Sequence, residues 1–196
     1  MTNNFPVTGV CVVSFSHRVG DDIRQLKAGD AQAFERAFAE HQPGLVRFLE
    51  RLCRNRATAL ELSQDTWLKL AEEAPWLRDD TVLRAWLFTV ARNAFLSHRR
   101  WSLLDGSRLD ELLRWGRGRR HETTPEDAAQ TSQEARALER AYRELPLKYR
   151  EALALTAGEG LEPTEAAQIL GIKPEAFRQR LSRARAQLEA MMEPSK

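Results

Sequence analysis

Residues 163–188, "PTEAAQILGIKPEAFRQRLSRARAQL", decide the fold. Ala167 is followed four residues later by Gly171 and six after that by Phe177, with Ile169, Leu170, Ile172 and Leu181 apolar. Two helices joined by a tight turn need a small residue where they cross and a glycine able to take positive φ in the turn. They also need apolar residues that lock the second helix on the first. Pro163 and Pro174 stand near helix starts, where a missing N–H costs nothing. At helical spacing the second segment turns Phe177, Leu181, Ala184 and Leu188 inward and Arg178, Gln179, Ser182, Arg183 and Arg185 outward. Forked donors for guanine edges and phosphates, with an amide for adenine, are what a helix in a major groove requires. The stretch reads as a DNA-binding helix-turn-helix, with Arg178 and Gln179 as base-contact candidates and Arg183 and Arg185 as phosphate contacts.

Outward from this motif, apolar residues recur at three and four positions almost throughout, and strand-like alternation is confined to the first fifteen residues. The spacing predicts an all-α protein of two small helical domains. In the second, helical periodicity returns at about Thr131, runs to "ELP", restarts at Leu147, breaks at "GEG" and resumes at 163–170 and 174–190. Before it, "GSRLDELLRWGRGRRHETTPED" has the glycines, mixed charge and proline of a flexible linker, with at most one short helix at 108–115. In the first domain Asp30 is an N-cap, and Phe34, Phe38, Leu45, Phe48, Leu49 and Leu52 mark a long helix or helix pair bent at Pro43. Thr58 and Glu61 have capping-box spacing for a next helix ending near Ala74, and Pro75 opens a loop, "PWLRDDTV".

The following helix contains "WLFTVARNAFLSHRRW", residues 86–101. Leu87, Phe88, Val90, Ala91, Ala94 and Phe95 share a broad core face. Thr89, Arg92, Asn93, Ser97, Arg99 and Arg100 form the other half, with Trp86 at its boundary and Trp101 at its end. Rings, arginines and an amide together suit unstacked bases on single-stranded nucleic acid, while Trp86 as one more core residue is the plainer alternative.

Composition narrows the function classes. With 30 basic and 28 acidic residues the net charge is only +2, but the charge is segregated. Residues 92–101 and 173–185 are basic, whereas 59–73 is acidic, holding Glu61, Asp65, Glu72 and Glu73 against Lys69. Such alternation suits a polyanion at one surface and a protein partner at another. Cys11 and Cys53 lack C-x-x-C spacing, and His17, His41, His98 and His121 are scattered, so no metal site, cofactor or enzyme active centre is expected. The apolar run "VTGVCVVSF", 7–15, is too short to span a bilayer, which predicts a cytoplasmic chain without membrane insertion.

The two motifs, in this order, resemble the extracytoplasmic function (ECF) sigma factors of the sigma-70 family. "DAQAFERAFAEHQPGLVRFLERL" is similar to the opening of that family's first domain, "ALELSQDTWLKLAEE" to its polymerase-binding helix and "LRAWLFTVARNAFLSHRRW" to its promoter-melting helix. "LPLKYREALALTAGEGLEPTEAAQILGIKPEAFRQRLSRARAQL" is similar to its second domain, and the resemblance spans about 28–190. It implies an N-terminal extension (1–27), a region 2-like domain (28–101), a linker (102–130) and a region 4-like domain (131–192). Glu61, Leu62, Gln64, Asp65 and Trp67 would meet core RNA polymerase. Trp76, Leu77 and Arg78 lie in the loop matching the pocket for an extruded minus-ten base. Asn93 lies near that base, and Trp86, Thr89, Arg92, Ser97, Arg99 and Arg100 complete the surface for melted DNA. Lys173, Arg178, Gln179, Arg180, Ser182, Arg183 and Arg185 would read the minus-thirty-five element as duplex. The implied partners are core RNA polymerase, promoter DNA in both forms and an anti-sigma factor. The competing reading, a free-standing regulator binding duplex DNA as a dimer, uses the helix-turn-helix but gives the acidic helix and the Trp/Asn/Arg helix no task.

Overall fold

The computed structural model describes residues 19–104 and 133–192. The expectations for the apolar N-terminal run, Cys11, the 108–115 helix and "RGRR" fall outside the described residues. The described residues are helical and carry no strand, as the periodicity predicts.

The first helix was not legible as such. Val19–Lys27 (α1) lies within what reads as an extension, and its Ile23 and Leu26 are buried in the core. Gly29, at φ 77°, turns the chain into α2 (Ala31–Cys53), whose N-cap Asp30 accepts from the Gln32 and Ala33 N–H groups. α2 runs unbroken through Pro43. Pro43 is exposed there, so water can take the carbonyl that its missing N–H leaves unbonded. α3 (Arg56–Glu73) starts earlier than the Thr58/Glu61 spacing suggests: Asn55 is its N-cap and accepts from Thr58 N–H at 3.1 Å. A short 3-10 turn, Ala74–Trp76, closes it at the expected proline. α4 (Leu83–Leu104) crosses α2 and α3, with Phe48 and Phe88 in edge contact at 5.2 Å.

The described residues after the linker form four helices and a π-turn. α5 (Gln133–Glu144) leads to α6 (Leu147–Leu153), which widens into a π-turn at Ala154–Gly158. α7 (Pro163–Leu170) and α8 (Pro174–Met192) form the helix-turn-helix. The two domains pack on one another: α7 lies against α4, α2 meets α6 and the π-turn, and the buried residues make one continuous core. This contact is what positions the surfaces below.

Candidate nucleic-acid interface

The helix-turn-helix has the mechanics its sequence requires. Gly171 caps α7 at φ 65°, and the Ile172 N–H returns to the Ala167 carbonyl at 3.0 Å. Ala166 and Ala167 are buried where the helices cross, and Phe177, Leu181 and Ala184 anchor α8. At the other end of α7 the Glu165 carboxylate accepts from the Glu162 N–H, a cap that the sequence reading did not pick out. Lys173, Arg178, Gln179, Ser182, Arg183 and Arg185 are exposed, and Arg180 is half-buried. Arg178 keeps only a loose 3.8 Å contact with Glu175, so its guanidinium remains available.

On α4 the core half is as the periodicity places it, with Leu87, Phe88, Ala91 and Phe95 buried. The polar half divides in two. At about 100° per residue, Trp86, Thr89, Asn93, Ser97 and Arg100 share one stripe, while Arg92 and Arg99 lie about a quarter-turn round the helix from Asn93 and Arg100, along its flank. Asn93, Ser97 and Arg100 are exposed, and Trp101 beyond them is 71% exposed. Trp86 is half-buried against the core. Thr89 spends its hydroxyl on the Ala85 carbonyl at 2.7 Å. Arg92 is engaged elsewhere: its Nε donates to Glu151 of α6 at 2.7 Å. Treating Arg92 and Asn93 as one stripe is therefore corrected.

The loop before α4 is fastened at both acids. Arg78 forks onto Asp80 with two 2.9 Å bonds, which hold the Asp80 carboxyl below its ordinary range. Lys27 of α1 reaches Asp79 and does the same there. Trp76 is left 85% exposed at the loop's edge. Leu77 is corrected as a contact residue: it is 8% exposed, and its side chain belongs to the core.

On α3, Glu61, Gln64 and Asp65 face solvent. Leu62 and Trp67 do not, each being 5% exposed, because they fall on the inward side of the same helix. Trp67 packs against Phe34 and Phe38 and donates its indole N–H to Gln42, which also accepts from Ser63. The sequence reading missed Leu60 and Leu68, which are 38% and 63% exposed, four positions either side of Gln64. An apolar pair at i and i+8 beside acids was the available signal. The outer face of α3 thus offers apolar contact rimmed by negative charge, the equipment of a protein-docking surface.

Among the described residues there is no group of three or more metal-ligating side chains, and no helix is long and apolar enough to cross a membrane.

Comparison with known proteins accounts for both halves. The model for Sigma-70 region 2 matches residues 37–101, and that for Sigma-70, region 4, matches residues 135–188. The RNA polymerase sigma factor CarQ of Myxococcus xanthus is 31% identical over 176 residues, covering 87% of this chain and 95% of that one. The ECF sigma factor SigM of Bacillus subtilis is 31% identical over 147 residues, covering 75% of this chain and 87% of its own. Among solved structures, the sigma factor RpoE of Bartonella quintana, in complex with the anti-sigma factor NepR, superposes with a TM-score of 0.65 at 26% identity. That match covers 85% of this chain and all of RpoE. CnrH in complex with the cytosolic domain of CnrY gives 0.64 at 25% identity, covering 89% and 96%. A region 2 domain followed by a region 4 domain, in a chain that spans nearly the whole of a 31%-identical relative, makes this protein a member of the ECF group of the sigma-70 family, the sigma factors that direct transcription by RNA polymerase.

Proposed function

We propose that this sigma factor docks on core RNA polymerase through the outer face of α3, reads a minus-thirty-five element as duplex with α8, and helps open the promoter with the Asn93 stripe of α4. The observation that carries the melting step is the exposure of Asn93, Ser97, Arg100 and Trp101 on a helix whose Leu87, Phe88, Ala91 and Phe95 are buried in the core. Nothing covalent is required. Extruding a base costs a few kcal/mol, and stacking returns about 1–3 kcal/mol per base, with phosphate neutralisation added to it.

On α8, Arg178 and Gln179 would meet base edges and Lys173, Arg180, Ser182, Arg183 and Arg185 the backbone. On α3, Glu61, Gln64, Asp65, Leu60 and Leu68 form the polymerase contact, with Leu62 and Trp67 holding that face in place from within. RpoE is seen with the anti-sigma factor NepR, and a comparable anti-sigma factor covering the docking face is the expected regulator here.

Run-off transcription on a genomic promoter library, with purified core polymerase in the presence and absence of this protein, tests the reading. Defined start sites that share two upstream elements and appear only with the protein are the expected result. Absence of core binding, together with dimers on a palindromic duplex, would replace it with the free-standing regulator.

A further inference from the structure

The loop between the 3-10 turn and α4 is anchored at both ends and tied at its tip. Leu77 and Leu83 are each 8% exposed, and between them the Thr81 N–H donates to the Arg78 carbonyl at 3.0 Å to close a turn. Asp79 and Asp80 stand at the corners of that turn and are exposed. Adjacent carboxylates at the tip of a loop that has to approach a polyanion repel it unless they are neutralised. Both are. Asp80 is held by Arg78 within the turn, and Asp79 by Lys27 of α1, 52 positions upstream. The first bond is internal to the loop, whereas the second ties its tip to another element.

α1 is itself well seated for that task. Ile23 and Leu26 are buried in the core, and the helix packs against the 3-10 turn that carries Trp76. Lys27 ends α1, where the helix terminus favours a cation, and Arg24, one turn earlier, adds its charge to the field that holds the Asp79 carboxyl below its ordinary range. With side chains 31% and 61% exposed, the Lys27–Asp79 pair adds little to folding stability. Its effect is on place: burial fixes the two ends of a short loop, and this pair fixes where the tip sits between them.

We propose that Lys27 is a positioning residue for base reading: through Asp79, α1 holds loop 77–82 in the shape that receives an extruded minus-ten base, and so sets how sharply that base is selected. The inference rests on the proposed melting role of this loop and α4. Lys27 acts through Asp79 and need not touch DNA. The helix that the sequence presents as an extension is then part of the promoter-reading apparatus.

Four full-length variants test it: Lys27→Ala, Asp79→Ala, the double alanine variant and the charge exchange Lys27→Asp/Asp79→Lys. Hydrogen exchange of the protein alone, followed in the peptide spanning 77–82, reports the tie. It should quicken about two- to fivefold in the three alanine variants, the range a surface ion pair spans, and return toward wild type in the exchange variant. Run-off transcription with core polymerase, on templates carrying each of the four bases at each minus-ten position, reports selection. The ratio of yield on the preferred base to the mean of the others should fall by a similar factor in the alanine variants and recover in the exchange variant. Urea midpoints should stay near wild type throughout.

The two single variants change the charge in opposite directions, so simple attraction to DNA would move total yield oppositely and leave the ratio alone. A loss of preference in both, not compounded in the double variant, is therefore the signature of positioning. A preference lost in Asp79→Ala but kept in Lys27→Ala, or not recovered by the exchange, would make Asp79 a direct base contact and overturn the proposal. Quicker exchange with an unchanged base preference would overturn it equally. If the wild type itself supports no initiation, the proposed function fails, and the exchange rates still tell whether α1 holds the loop.

Discussion

Arg92 and Glu151, 59 residues apart in sequence, meet at 2.7 Å across the domain seam, with 19% and 4% of their side chains exposed. Removing one partner of such a pair leaves the other buried and uncompensated, at a cost of about 3 kcal/mol. Arg92→Ala and Glu151→Ala should each lower stability by roughly this amount, and the double variant by clearly less than the sum. Urea denaturation of the four proteins checks it, and strict additivity would mean the pair is not coupled.

Promoter recruitment and promoter opening should separate by residue. Gln179 is exposed on α8 and Asn93 on α4, each outside the core, so alanine at either position should leave the fold within about 0.5 kcal/mol of wild type. Asn93→Ala should reduce permanganate reactivity of the melted strand more than polymerase recruitment, and Gln179→Ala the reverse. Equal losses in both steps would refute the division of labour.

Neighbours in the loop before α4 should behave oppositely. Leu77 is buried, and Leu77→Ala should cost about 2–5 kcal/mol by leaving a cavity under the loop. Trp76 is exposed, and Trp76→Ala should leave stability nearly unchanged while lowering open-complex formation if its ring stacks on an extruded base. Thermal unfolding and run-off yield, measured on both variants, tell the two roles apart.

The elements themselves were legible because each carries its own record. Phe177, Leu181 and Ala184 repeat at helical spacing and are buried, and Gly171 takes the positive φ that the turn demands. Periodicity separates inside from outside on one helix, but it does not tell which outward residue meets a second domain. Hence Arg92 read as one stripe with Asn93, and Glu159, in a "GEG" break, read as nothing more than a break. Its partners lie 108 and 112 residues upstream, and no local pattern encodes that pairing. The α3 residues failed for a related reason. The resemblance treats α3 as one polymerase-facing unit, and Leu62 and Trp67 come with it although the helix turns them inward. α1 was missed because nine residues offer little periodicity and only Ile23 and Leu26 show its buried side.

Cys53 gives a prediction in pH. It is buried at the end of α2, and loss of hydration pushes its thiol up to about 12, against a smaller lowering by Arg150. The folded state therefore holds the proton more tightly than the unfolded state, in which an ordinary thiol titrates near about 8.5. Protons bound preferentially by the folded form stabilise it below the unfolded value, and that contribution is lost as pH rises from about 8.5 toward about 12. Cys53→Ala should therefore show a flatter stability profile than wild type across that window, measured by denaturant titration at successive pH values. In the native protein at pH 8 the thiolate is scarce and shielded, so Cys53 should resist alkylation and become reactive only on unfolding. Peptide mass spectrometry after brief iodoacetamide treatment, with and without denaturant, reads this directly. Rapid native labelling at Cys53 would mean that α2 opens at that end far more often than its packing implies.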